Sequence, residues 1–122
     1  MNLYFLVEGR RTEARLYPRW LSYLLPHFSR VEYPDEASNN TFFLISGEGY
    51  PRLLDVQLPH AIQDVNDVGR YDYLIVCLDA DEATVAERTA EVWCHLEEQQ
   101  TNLNSSTTFR IGVSKRGCWV IV

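Results

Sequence analysis

Two short apolar runs constrain this chain more than any other feature, because each ends abruptly in acid. Leu3-Tyr4-Phe5-Leu6-Val7 is followed by Glu8-Gly9, and Tyr73-Leu74-Ile75-Val76-Cys77-Leu78 by Asp79-Ala80-Asp81-Glu82. A continuous apolar run suits a strand buried on both faces, as in a parallel sheet covered by helices. In such sheets ligands bind outside the carboxyl ends of the strands. If the two strands are neighbours, Glu8, Asp79 and Asp81 converge at one edge. Three carboxylates held together repel unless a cation lies between them, which is the makeup of a Mg2+ site for phosphate chemistry.

The rest of the chain alternates in the same sense. Gly9 allows a turn, and Thr12 is an N-cap candidate for a helix reaching about residue 25. Its inward face is Tyr17, Leu21, Leu24, Leu25 and Phe28; Pro18 lies inside it and Pro26 ends it. Residues 30–41 are polar and read as a connection, and Phe42-Phe43-Leu44-Ile45 is the second strand. After the loop Gly47-Glu48-Gly49-Tyr50, Pro51 opens a helix to about residue 65 with Leu54, Leu58, Ile62 and Val65 on one face, Pro59 in its interior and Gly69 at its end. The third strand is 73–78. A helix from about residue 82 to 99 turns Val85, Thr89, Val92, Trp93 and Leu96 inward. Residues 101–108 are a polar loop, 109–113 a fourth strand, Lys115-Arg116-Gly117 a turn and 118–122 a last apolar run.

Strands alternating with helices predict an α/β domain: a mostly parallel, four-stranded, Rossmann-like sheet with helices on both faces and right-handed crossovers. Residues 1–122 read as one domain. The chain stops within an apolar run, which reads either as a truncated domain or as a last strand tucked at a sheet edge.

A net charge of -6 argues against a generic nucleic-acid coat protein. Its distribution is uneven. Arg10, Arg11, Arg15, Arg19 and Arg30 face only Glu8 and Glu13 over the first thirty residues, and Arg110, Lys115 and Arg116 make the end basic again. The ends of the chain can supply phosphate contacts while the middle supplies metal ligands, or the charges simply solvate the surface. No apolar run is long enough to span a bilayer, and the first residues lack the basic region and the small-residue cleavage site of a signal peptide. Cys77, Cys94 and Cys118 make neither a disulfide framework nor a CxxC pair, which with the absent leader pattern points to a reducing cytoplasm. Cys77 and Cys94 read as small core residues. His27, His60 and His95 have no metal-ligand spacing, Gly47-Glu48-Gly49 lacks the ending of a phosphate loop, and Ser46 and Ser114 have no partner that suggests a nucleophile. Trp20, Trp93 and Trp119 read as core.

In extended geometry Asp79 and Asp81 point to the same side and can share a cation. Acids there also suit the first turn of a helix, the simpler reading of Glu82. The combination of Leu6-Val7-Glu8-Gly9 with Leu78-Asp79-Ala80-Asp81, in this strand order, resembles the Toprim domain of topoisomerases, bacterial primases and nucleases of the overcoming-lysogenisation-defect (OLD) group. The resemblance covers essentially the whole chain. Glu8-Gly9-Arg10-Arg11-Thr12-Glu13 is most similar to the OLD-type, defence-associated Toprim nucleases. That resemblance implies that Glu8 is a general acid/base or metal ligand and that Asp79 and Asp81 hold Mg2+, for which Mn2+ can substitute. It implies a second-metal role for Glu13, which stands one residue beyond the family's usual four-residue step. Lys115, the single lysine, would contact the scissile phosphate, and the loop bearing Glu48 would lie near the site. Arg10, Arg11, Arg15, Lys115 and Arg116 would hold the backbone of DNA or RNA. The implied protein is a metal-dependent endonuclease, the effector of an anti-phage system, controlled by a partner ATPase of the ABC or AAA type and able to form homo-oligomers. The alternative is a catalytically idle Toprim-like module that docks on the ATPase or on nucleic acid. A haloacid-dehalogenase-like phosphatase is disfavoured, because such enzymes carry their Asp-x-Asp after the first strand.

Overall fold

The structure, a computed structural model, describes residues 1–9, 12–78, 84–98, 112–113 and 118–121; for Thr12, Glu13, Val85 and the residues from Gly112 onward it describes the backbone alone. In chain order the elements are β1 (Asn2–Val7), α1 (Thr12–Leu24), β2 (Ser29–Arg30), β3 (Thr41–Ser46), α2 (Leu58–Val68), β4 (Tyr73–Cys77), α3 (Val85–Glu98), β5 (Gly112–Val113) and β6 (Cys118–Ile121). A 3-10 turn, Pro34–Glu36, precedes β3, and a π-helical turn, Leu53–Gln57, runs directly into α2. Pro59 explains that turn. It has no N–H to donate, its ring crowds the carbonyl four residues back, and widening the helix just before it relieves both.

The strands form one sheet in the order β2-β3-β1-β4-β6-β5. β2, β3, β1 and β4 are mutually parallel, while β6 joins β4 antiparallel and β5 joins β6 antiparallel. Four parallel strands are present, but only β1, β3 and β4 are expected ones: the fourth is β2, which the sequence does not mark as a strand, while the expected strand 109–113 is represented among the described residues by β5, antiparallel at the sheet edge. The end of the chain differs: the last apolar run lies between β4 and β5, not at the sheet edge. The short connection from Val113 to Cys118 favours antiparallel neighbours, since a parallel pair needs a long crossover.

Alternation along the strands divides the core in two. Tyr4, Leu6, Phe43, Leu74 and Val76 face a layer made by Leu53, Leu54, Leu58, Ala61 and Ile62 of the second helical segment and by Val92 and Leu96 of α3. Leu3, Phe5, Val7, Phe42, Leu44 and Cys77 face the other way, onto Leu21, Tyr17, Leu25 and Phe28 in and after α1. Helices therefore cover both faces, as the unbroken apolar runs require.

Four inward assignments change, among them Trp20, which is 54% exposed on α1. Leu24 is 69% exposed, because it falls on the flank of the Tyr17–Leu21–Leu25 row and not in it. In α3 the inward row is Arg88, Val92 and Leu96, at steps of four, and Trp93 falls on its outer side. Cys94 is exposed on the same outer side, while Cys77 is buried.

Candidate functional site

The path of the chain marks one end of the sheet. From β1 it passes through α1 on one face to the β2–β3 side. From β4 it passes into α3 on the opposite face. Neighbouring parallel strands whose connections leave in opposite directions open a crevice at their carboxyl ends, the place where open α/β sheets bind ligands. Here that reversal lies between β1 and β4. Their register pairs Val7 with Cys77, and that of β1 with β3 pairs Val7 with Ser46. Glu8, Leu78 and Gly47 thus follow in step at one edge.

Glu8 is half-buried there, and its backbone is tied down by the neighbouring loop. Gly47 N–H donates to the Val7 carbonyl, and Gly49 N–H to the Glu8 carbonyl at 2.9 Å. The loop turns through Glu48 and Gly49, both at positive φ (62° and 87°), and the Ser46 hydroxyl accepts from the Glu48 N–H at 3.1 Å. Gly47 is required by proximity: a Cβ there would stand 2.5 Å from Leu53 Cγ. The Glu48 carboxylate is engaged by Arg52 Nε at 2.8 Å, on the surface.

Of the residues singled out from the sequence, Glu8 is at this edge, Glu13 is in the first turn of α1 and Arg15 is exposed on α1. Arg10, Arg11, Asp79, Asp81, Glu82, Lys115 and Arg116 lie outside the described residues. Among the described residues no group of three or more His, Cys, Asp and Glu is placed to hold a metal ion. Glu8, at this edge, is a hard oxygen donor of the kind Mg2+ takes.

A second polar group, not foreseen from the sequence, borders the same loop. The Tyr50 hydroxyl donates to Glu91 Oε2 at 2.8 Å, and Arg88 Nη1 donates to the same oxygen at 2.9 Å. The Arg88 guanidinium lies 3.9 Å from the centre of the Tyr50 ring. Arg88 is only 8% exposed, and among the described residues its Nε has no hydrogen-bond partner. The Tyr50 hydroxyl, and after it Arg88, holds the Glu91 carboxyl below its ordinary value against the opposing effect of burial. One turn further on, His95 bonds the Glu91 carbonyl at 2.8 Å and Asp55 at 2.9 Å. These contacts clip α3 to the loop after β3 and to the π turn. The sequence signal was a charged residue at the i−4 position of the Val92–Leu96 row.

Comparisons with protein-family models, with curated proteins and with solved structures give no match to this chain. Among the described residues no helix is long and apolar enough to cross a membrane.

Proposed function

We propose that this protein is a Mg2+-dependent nuclease of the Toprim type that nicks or cleaves phosphodiester bonds in DNA or RNA. One observation carries the reading. β1 and β4 are parallel neighbours with Val7 opposite Cys77, so Glu8 sits at the edge from which the chain runs into Asp79-Ala80-Asp81. Glu8, Asp79 and Asp81 would hold the metal, which when bound polarises the phosphate and stabilises the leaving oxygen. Glu8 would also move a proton at the attacking or leaving oxygen. Lys115 would neutralise the scissile phosphate, and Arg10, Arg11, Arg15 and Arg116 would hold the flanking backbone. Mn2+ would replace Mg2+. In this reading the protein acts in the cytoplasm as the effector of a defence system, gated by a separate ATPase.

The test is nicking of supercoiled plasmid and cleavage of labelled RNA with and without Mg2+. Because a Lewis-acid metal contributes several kcal/mol to the transition state, Glu8→Ala and Asp79→Ala should each lower the rate by about a hundredfold or more. Equal, metal-independent rates in wild type and both variants overturn the assignment.

A further inference from the structure

The outer face of α1 carries a feature that the edge site does not explain. Trp20 is 54% exposed and Tyr23 87%, and Leu16 and Leu24 stand one turn to either side of Trp20 in the same row. Helical spacing sets a second row beside it, Arg15, Arg19 and Tyr23, with both arginines exposed. The Trp20 ring is held in place rather than free, leaning on Tyr17 with centroids 5.6 Å apart and planes at 58°. Tyr17 in turn packs on the core beneath α1.

We infer that this face is a stacking platform for single-stranded nucleic acid, with bases on Trp20 and Tyr23 and phosphates on Arg15 and Arg19. Charge decides against a second copy of the chain. A twofold contact through this face would set Arg15 and Arg19 of one copy close to those of the other, like charge against like. A polyanion meets those arginines favourably, and exposed aromatic faces stack on bases of any sequence. A duplex keeps its bases stacked on each other and cannot offer them to Trp20. Because α1 follows directly on β1, the two rows lead away from the edge that carries Glu8. Arg15 and Tyr23 are separated by about 12 Å along the helix, at roughly 1.5 Å per residue. The inference rests on the nuclease reading for its polymer class and narrows that class to single strands.

The experiment is fluorescence anisotropy of the whole protein with a labelled oligothymidylate, in chelator so that no cleavage occurs, with the same label on a duplex as comparison. Wild type should bind the single strand more tightly than the duplex. Trp20→Ala should weaken single-strand binding by roughly 5- to 150-fold, the usual effect of removing one stacking ring. Arg19→Ala should reduce the slope of log affinity against log salt by about 0.7, the value for one phosphate of a single strand. Both residues are exposed, so an unchanged circular dichroism spectrum and melt will accompany the loss. Unchanged affinity in Trp20→Ala, preference for the duplex, or a dimer in sedimentation that Trp20→Ala disperses without any oligonucleotide binding each overturn the inference. Binding is read without metal, so its failure is distinct from loss of nicking in Glu8→Ala.

Discussion

Val7 and Cys77 end their strands directly opposite one another, in parallel register, at the centre of the sheet. The side chain after Val7 is a carboxylate, and the second residue after Cys77 is another. Calorimetric titration with Mn2+ should therefore give a saturable isotherm in wild type, weakened about tenfold or more by Glu8→Gln and abolished by Asp79→Asn, since hard-cation affinity follows the number of charged oxygen donors. The fold should survive Glu8→Gln, because the bond that clamps this edge runs from Gly49 N–H to the Glu8 backbone carbonyl, not to the side chain. Identical isotherms for all three proteins would count against a metal centre there.

The loop beside Glu8 depends on Gly47 having no side chain. An added methyl would meet Cγ, Cβ and Cδ1 of Leu53, at 2.5 to 2.7 Å, and Leu53 is fully buried. Gly47→Ala should destabilise the protein by about 1–3 kcal/mol, the ordinary cost of overpacking. In a double-mutant cycle with Leu53→Ala the two losses should fall short of additive, since that change removes Cγ and Cδ1, two of the three atoms the methyl would meet, and leaves Cβ. Strict additivity in urea denaturation would mean that the strain goes elsewhere.

At the opposite end of the sheet Asn2 ties three segments to β1. Its amide donates to the carbonyls of Ser38 and Arg70, at 3.0 and 2.9 Å, and its Oδ1 accepts from the N–H and hydroxyl of Thr41. Asn2→Ala strands buried partners on both sides and should cost about 2–3 kcal/mol. Asn2→Asp keeps the acceptor but loses the donor, so it should spare Thr41 and still release Ser38 and Arg70. Thermal melts will rank wild type above both variants; an Asn2→Ala melt equal to wild type would remove this role.

The parallel strands were legible because Leu3-Tyr4-Phe5-Leu6-Val7 and its counterparts are apolar without a break, and only a sheet covered on both faces demands that. β2 was not. Ser29 and Arg30 are exposed and polar, and what makes them a strand is backbone bonding of Ser29 and Val31 to Asn40 and Phe42 across the edge of β3. An apolar run also gives a strand without its direction, which is why the antiparallel placement of β6 did not follow. Side-chain chemistry misled in α1 and α3. Trp20 and Trp93 read as core by type, yet helical phase puts both outside, and Arg88 takes an inward place because Tyr50 and Glu91 receive it. For the candidate site, position after a strand was enough to mark Glu8. The Tyr50–Arg88–Glu91 group joins residues some forty positions apart in sequence, and no local pattern encodes that meeting.

His95 gives a test with a definite sign. Its Nδ1 faces the Glu91 carbonyl and its Nε2 the Asp55 carboxylate, so only the doubly protonated ring can donate at both. Partial burial pulls the imidazole down, but the Glu91 carbonyl, and after it Asp55, outweigh burial and raise it above its ordinary 6.5. A group raised on folding stabilises fully below its unfolded value and loses that contribution as pH climbs through the folded value. The stability difference between wild type and His95→Gln should therefore be largest near pH 5.5 and shrink toward pH 8.5. Glu91 works in the other direction: its carboxyl is held low, so its contribution is complete above its unfolded value near 4.5 and fades as pH falls through the lower folded value. Denaturation of both proteins from pH 5.5 to 8.5, with the His95 ring followed by NMR, reads the His95 effect, and extending the wild-type series below pH 4.5 reads that of Glu91. A midpoint for His95 at or below 6.5, or a wild-type advantage that grows with pH above 6.5, would show that the clip between α3 and the π turn does not draw on the charged ring.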